Sequence, residues 1–327
     1  MTAARLSDAQ LPPLDSSIPP WPGRQIRVGA ADLFVRDTPT EAENAEPALC
    51  VHGLGGASTN WTDFAGLLAP RLSIQSIDLP GFGRSGPAPG RDYSIAAHTR
   101  TVIRYLEQSG RGPVHLFGNS MGGVISILIA AGRPDLVRTL TLTSPAVPDL
   151  RPRRLGTDPL LAVALLPGTA GLIRRRIGRY PADVRAWSVI KLCFADPARV
   201  PPNRLAEAVE EIESRDGMGW STDALLRSLR GLVRTYMAPR RRSLWSRMAA
   251  ITAPTLVVWG DRDRLVDVAL APRVARTIPD ARLLVLNNVG HVAQLEDPLT
   301  TARAALALLE DDVARRVDRS AGEGVGR

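Results

Sequence analysis

Six short apolar runs in this chain lack polar alternation: residues 48–51, 73–77, 114–117, 140–142, 255–259 and 283–286. Successive side chains of a strand point to opposite faces, so a run that is apolar at nearly every position predicts a strand covered on both sides. Stretches with helical periodicity separate these runs, at 61–68, 95–107, 121–131, 268–277 and 300–313. Strand and helix therefore take turns along the chain. That order predicts an α/β architecture, a mostly parallel sheet flanked by helices.

The order is interrupted in two places. Residues 25–36 carry two alternating runs around Gly29, which predicts an antiparallel hairpin. Between Pro145 and Ile251 only helical patterns occur (206–212 and 224–236), which predicts a helical cap inserted into the sheet domain. The expected organisation is a proline-rich extended arm at 1–23, partly disordered; a core formed by 24–146 and 251–316; a cap at 147–250; and a C-terminal tail at 317–327. A chain of 327 residues, 44% hydrophobic, has enough apolar surface for one large domain with such an insertion.

The formal charge of +8 is unevenly placed. Residues 150–250 hold 19 basic and 9 acidic side chains, a net +10, while the rest of the chain is at −2. All basic residues except Lys191 are arginine; a coding preference for arginine would spread along the chain, so the local excess is a property of the cap surface. Residues 160–173 are mostly apolar and run directly into Arg174, Arg175, Arg176 and Arg179. Two readings follow: a cap helix packed on the core with a solvated arginine face, or an element making peripheral contact with anionic lipid. The nearby aromatics (Tyr180, Trp187, Trp220, Tyr236, Trp245) show no base-stacking pattern, so no nucleic-acid partner is expected.

No basic-then-apolar leader opens the chain, and the apolar run at 124–131 is far short of a membrane span. The expectation is a soluble cytoplasmic protein, with the cap as its one candidate for contact with a membrane surface. Two cysteines, Cys50 and Cys193, give no disulfide framework, and Cys50 within an apolar run reads as a buried thiol. His52, His98, His115 and His291 have no ligand spacing, so neither a metal nor a cofactor is expected. Nothing in the sequence speaks to oligomeric state.

The chemistry-bearing residues cluster after the apolar runs. Gly118-Asn119-Ser120-Met121-Gly122 follows the run 114–117 and precedes a helical pattern. A serine on such a sharp strand-to-helix turn is lifted above the sheet edge, and glycines relieve the crowding across the turn. Ser120 also starts a helix, where free N–H groups favour developing negative charge. Gly290-His291 follows the last strand and the turn Asn287-Asn288, which makes His291 the candidate general base. Gly260-Asp261-Arg262-Asp263 follows 255–259 and supplies the acid that orients it. Asp263 is the choice over Asp261, expected to bond local backbone in the tight turn, and over Asp149. His52-Gly53-Leu54-Gly55-Gly56 follows 48–51; N–H groups of Leu54 and Met121 are the candidate oxyanion hole, and His52 reads as a structural residue of the loop.

These segments, with Asp78-Leu79-Pro80-Gly81-Phe82-Gly83-Arg84-Ser85, occur in the order found in the capped α/β-hydrolase superfamily, which the chain resembles over residues 25–315. The resemblance implies an α/β-hydrolase fold with a mostly parallel eight-stranded sheet and an inserted helical cap. It also implies nucleophilic catalysis through an acyl-enzyme on Ser120, and a structural role for 78–85. Serine at the nucleophile position excludes the dehalogenases and epoxide hydrolases of this fold, which use aspartate there. Hydrolysis of a small-molecule carboxylic ester with an aliphatic or acyl group is the first expectation. The same residues also serve carbon–carbon bond hydrolases and cofactor-free perhydrolases, and a ligand-binding protein without turnover is the reading from another class.

Overall fold

A computed structural model describes residues 2–149 and 164–324. The apolar runs form the middle of a nine-stranded sheet. In chain order its strands are β1 (Thr2–Ala3), β2 (Gly23–Val28), β3 (Ala31–Asp37), β4 (Glu46–Val51), β5 (Leu72–Ile77), β6 (Val114–Asn119), β7 (Val137–Thr143), β8 (Thr255–Gly260) and β9 (Ala281–Leu286). Across the sheet the order is β1-β9-β8-β7-β6-β4-β5-β3-β2. Pairing is parallel except where β3 meets β2 and β5.

Double-sided burial explains the missing alternation. Leu116 and Phe117 of β6 are both fully buried yet belong to opposite faces, Leu116 with Val124 and Leu140, Phe117 with Phe64 and Leu256. In β8, Val257 and Trp259 enter the first of these cores while Leu256 and Val258 enter the second. Helices α2 (Ile95–Ser109), α3 (Met121–Gly132) and α9 (Ala271–Thr277) cover the first face. The short helices α1 (Thr62–Leu68) and α10 (Ala293–Glu296) and the long α11 (Pro298–Gly324) cover the second.

Residues 25–36 form the expected hairpin, Ile26 opposite Leu33, turning on Gly29 at φ 57°. The sheet has one strand more than the eight expected, because the N-terminal segment does not stay apart from the domain. Thr2 and Ala3 add β1 in parallel to β9, and Ser7 Oγ donates to Glu310 Oε1 on α11. Trp21 Nε1 donates to Thr62 O at the start of α1. Composition alone made this arm look loose; a dipeptide strand and a few long-range bonds hold it. At the other end, the residues from 317 that read as a tail continue α11 to Gly324.

Between β7 and β8 the described residues form helices only: α4 (Ala170–Ile177), α5 (Ala182–Cys193), α6 (Pro202–Asp216), α7 (Ser221–Tyr236) and α8 (Leu244–Met248), with short 3-10 turns. The first part of the apolar run at 160–173 lies outside the described residues. Helix α5 escaped sequence reading because Val184, Trp187, Val189 and Leu192 are apolar on its outer side while Ala186 and Ile190 are apolar on its inner side, so no helical stripe stands out. This helical region is bolted to the core by a buried ion pair: Arg204 Nη2 donates to Asp63 Oδ1 at 2.5 Å and Arg204 Nε to Asp63 Oδ2 at 3.2 Å.

Candidate active site

Every motif singled out in the sequence sits at the carboxyl edge of the sheet, the edge where open α/β sheets collect ligands. Strands β4 and β6 are neighbours, with Val51 opposite Gly118, so the His52–Gly56 loop and Ser120 leave the sheet side by side. Ser120 has φ 53° and ψ −115°, a backbone conformation rarely adopted outside glycine. The surroundings hold it there. Its N–H donates to Thr143 O at 3.0 Å, and its carbonyl accepts from Ala146 at 3.0 Å and Val124 at 3.2 Å.

The flanking glycines are forced by contact. A Cβ on Gly118 would lie 2.7 Å from Gly122 O across the turn. On Gly122 it would run first into the carbonyls of Val51 and His52, so this second glycine lets the end of β4 approach the turn. A Cβ on Gly53 would stand 3.1 Å from Ser120 Cβ, which fixes how close the β4 loop comes to the serine. Leu54 follows directly. Met121 opens α3, and the first N–H groups of a helix have no intrahelical acceptor.

His291 is 3% exposed, and its Nδ1 lies 2.9 Å from Asp263 Oδ2. A carboxylate only accepts, so Nδ1 carries the proton and Nε2 is left with a lone pair. The other carboxylate oxygen, Oδ1, accepts from Leu265 N at 2.8 Å and Val266 N at 2.9 Å. Trp259 Nε1 donates to Val266 O and steadies the same loop from below. The partner of His291 is thus Asp263, while Asp261 is turned toward Arg262. The expected reason was inverted: it is Asp263, not Asp261, that bonds the local backbone, and it does so with the oxygen that the imidazole leaves free.

Among the described residues no hydrogen bond joins Ser120 Oγ to His291. The two are linked through Asn119, whose Nδ2 donates to His291 O at 3.2 Å and Thr143 O at 3.1 Å. In unliganded sites this serine–imidazole contact commonly closes only when substrate is bound.

Two charged residues that sequence reasoning missed brace the site against the helical region. The Glu296 carboxylate is fully buried and accepts three N–H groups: Gly290 at 2.7 Å, beside His291, and Ala195 and Asp196 at 3.0 and 2.9 Å, just past α5. His291 N–H donates to Cys193 O at 2.7 Å across the same seam. Burial pushes the Cys193 thiol up to about 12, which keeps it protonated and inert here. The second brace is Arg215 of α6, whose Nη1 donates to Gly55 O at 2.5 Å. No local motif announces either residue, since each works across a large sequence separation.

His52 is structural, as expected. Its ring is completely buried, Nε2 accepts from Leu79 N at 3.0 Å and Nδ1 donates to Gly53 O at 2.7 Å. Burial lowers its pKa, so it stays neutral. The 78–85 segment is built the same way: Asp78 Oδ1 and Oδ2 accept from Ser58 N at 2.6 Å and Arg84 N at 2.8 Å, and Ser85 Oγ donates back to Asp78 O. No cluster of His, Cys, Asp or Glu fit to hold a metal occurs among the described residues.

Comparison with known proteins agrees with this architecture. The alpha/beta hydrolase fold family profile matches residues 47–298. The chain is 28% identical over 297 residues to 2-hydroxy-6-oxononadienedioate/2-hydroxy-6-oxononatrienedioate hydrolase 2 of Pseudomonas putida, covering 88% of this chain and 95% of that one. It is 29% identical over 277 residues to Lipase 1 of Psychrobacter immobilis, covering 83% and 80%. Among solved structures, a bacterial membrane phospholipase A superposes with a TM-score of 0.69 at 26% identity, covering 89% of this chain and 86% of that one. From the profile match and these hydrolase relatives, the chain belongs to the alpha/beta hydrolase fold family and is a hydrolytic enzyme.

Proposed function

We propose that the protein is a serine hydrolase of carboxylic esters with an aliphatic or acyl portion, working through an acyl-enzyme on Ser120. The observation that carries this reading is the Asp263–His291 hydrogen bond at the same sheet edge as a strained, positive-φ Ser120. In this reading Ser120 Oγ attacks the ester carbonyl while His291 Nε2 takes its proton. Negative charge on the carbonyl oxygen is met by the N–H groups of Leu54 and Met121. Collapse of the tetrahedral intermediate expels the alcohol, which receives the proton from His291. Water, activated by the same imidazole, then attacks the acyl-enzyme and frees the acid. Asp263 keeps its negative charge throughout and stabilises the imidazolium.

Ester hydrolysis asks least of these residues, and similarity to a lipase supports it. Similarity to a hydrolase of oxo-dienedioates supports a second reading, cleavage of a carbon–carbon bond beside a ketone by the same serine. Fluorophosphonate labelling lost in Ser120→Ala, with turnover of p-nitrophenyl esters that rises from acetate to longer acyl chains, is the expected result. Labelling without ester turnover, together with cleavage of a dienone acid, overturns the ester reading in favour of the second. Folded protein that takes no label overturns both.

A further inference from the structure

The helical region carries a charge that its own acids do not neutralise. Five of its arginines are ion-paired: Arg185 with Asp216, Arg199 with Asp196, Arg204 with Asp63, Arg215 with Glu211, Arg227 with Asp223. Arg174, Arg175 and Arg176 of α4, and Arg179 just after it, are all exposed and form no ion pair among the described residues. Residues 166–192 hold six basic side chains and one acid, Asp183. Four unpaired guanidinium groups so close together repel one another, so an anionic partner is favoured there.

The apolar side chains of the same segment are exposed as well. Helix α4 turns Ile173 and Ile177 inward against Leu226 and Leu229 of α7, and leaves Leu172 62% exposed beside its arginines. Leu166 before it and Tyr180 after it are 57% and 55% exposed. Helix α5 turns Ile190 inward against Leu205 and Val292. Its outer side then presents Val184, Trp187 and Leu192 around Lys191, with Leu192 47% exposed. A surface helix in water normally puts charge on its outer side; aliphatic and tryptophan side chains mixed with basic ones suit a headgroup boundary instead.

We propose that α4 and α5 form a docking surface for an anionic phospholipid bilayer. The arginines take the headgroup phosphates, while Leu166, Leu172, Trp187 and Leu192 enter the acyl boundary. A nucleic acid would use the charge and leave these aliphatic groups in water. The position of the surface gives it a use: α5 ends at Cys193, whose carbonyl holds His291 N–H, so a docked α5 stands directly beside the proposed base. This inference concerns where the protein sits and does not rest on the ester reading.

The test is sedimentation of the Ser120→Ala protein with phosphatidylcholine vesicles, with and without phosphatidylglycerol. Binding only to vesicles containing phosphatidylglycerol, weakened by salt, is expected. Each basic residue near an anionic surface strengthens binding about fivefold, so a triple R174S, R175S, R176S variant loses roughly a hundredfold. Trp187→Ser with Leu192→Ser weakens binding without altering its dependence on salt. The same variants keep the circular dichroism spectrum and the unfolding midpoint of the parent, which shows that they fold. Failure of the folded protein to bind phosphatidylglycerol vesicles overturns the proposal, as does binding that the triple variant retains. So does concentration-dependent dimerisation abolished by the same substitutions without vesicle binding, which would make a second copy the occupant.

Discussion

The guanidinium of Arg215 reaches from α6 to the carbonyl of Gly55, with 2.5 Å between Nη1 and the oxygen. Gly55 has φ 74°, and its peptide is the next but one after that of Leu54 in the loop beside Ser120. Arg215 itself is oriented by Glu211, through a bond from Nε to Glu211 O and an ion pair to its carboxylate. The helical region therefore sets the course of the loop that carries one of the two proposed oxyanion donors.

Arg215→Met keeps much of the side-chain stem and removes the donor. We expect kcat to fall about tenfold, with KM changed much less, since losing an oxyanion donor outright costs about a hundredfold or more and here the donor is only loosened. Arg215→Lys should restore part of the loss. Steady-state kinetics decide: a rise in KM alone would assign Arg215 to substrate binding or to packing.

The acid assignment separates cleanly. Asp263→Asn retains shape but favours the wrong imidazole tautomer and should lower kcat by about 10⁴. Asp261→Asn, whose carboxylate faces Arg262, should stay within a few-fold of the parent. Comparable losses in both variants would break the assignment.

Glu296 joins the His291 loop to the end of α5 through three N–H groups. Glu296→Ala leaves those donors without their acceptor, at about 1–3 kcal/mol for each donor that water cannot reach. A drop of several kcal/mol in unfolding free energy is the expected outcome of a denaturant titration. Glu296→Gln, which keeps one carbonyl oxygen, should recover part of it. An unchanged midpoint would mean that water replaces the carboxylate.

Acid should weaken the fold before the carboxylates titrate. Burial lowers the His98 pKa to about 3, and its Nε2 meets Ser228 Oγ of α7 at 3.0 Å. Below the unfolded value of about 6.5 the unfolded chain takes up a proton that the folded one refuses. Stability is therefore full above that pH and falls by about 1.4 kcal/mol per unit down to pH ~3. The neutral, buried His52 adds to the same slope. Glu46, held near pKa 2 by its bond to His115, contributes stability that is lost lower, as pH falls from about 4.5 toward 2. His98→Gln should flatten the slope between pH 6.5 and 4; a parallel curve for the variant would place the acid sensitivity elsewhere.

The sequence showed those parts of the fold and site that are encoded locally. Leu116 and Phe117 are legible as a doubly buried strand because both neighbouring positions are apolar, and Ser120 because its glycines and following helix lie within a few residues of it. Asp263 could be chosen, but the reason could not be read, since two carboxylates in one turn differ only in the directions their side chains take. Arg215, Glu296 and Arg204 were invisible for a different reason. Each is an ordinary charged residue on a helix until the fold brings Gly55, Ala195 or Asp63 to it. The strand at Thr2–Ala3 is too short for any pattern and exists only because β9 offers it an edge.

That small strand bears on how freely the protein can be rebuilt. β1 lies at one edge of the sheet and β2 at the other, so the segment between them passes from edge to edge of the sheet. On its way it gives Ser16 O to Asn203 Nδ2 and Ile18 O to Arg204 Nη1, both on α6. The helical region is thus held by the beginning of the chain as well as by the core, and it is less modular than its place between two strands suggests. A chimaera that takes this region from a relative should exchange residues 16–18 and Asp63 together with it, or the grafted helices will lack their moorings.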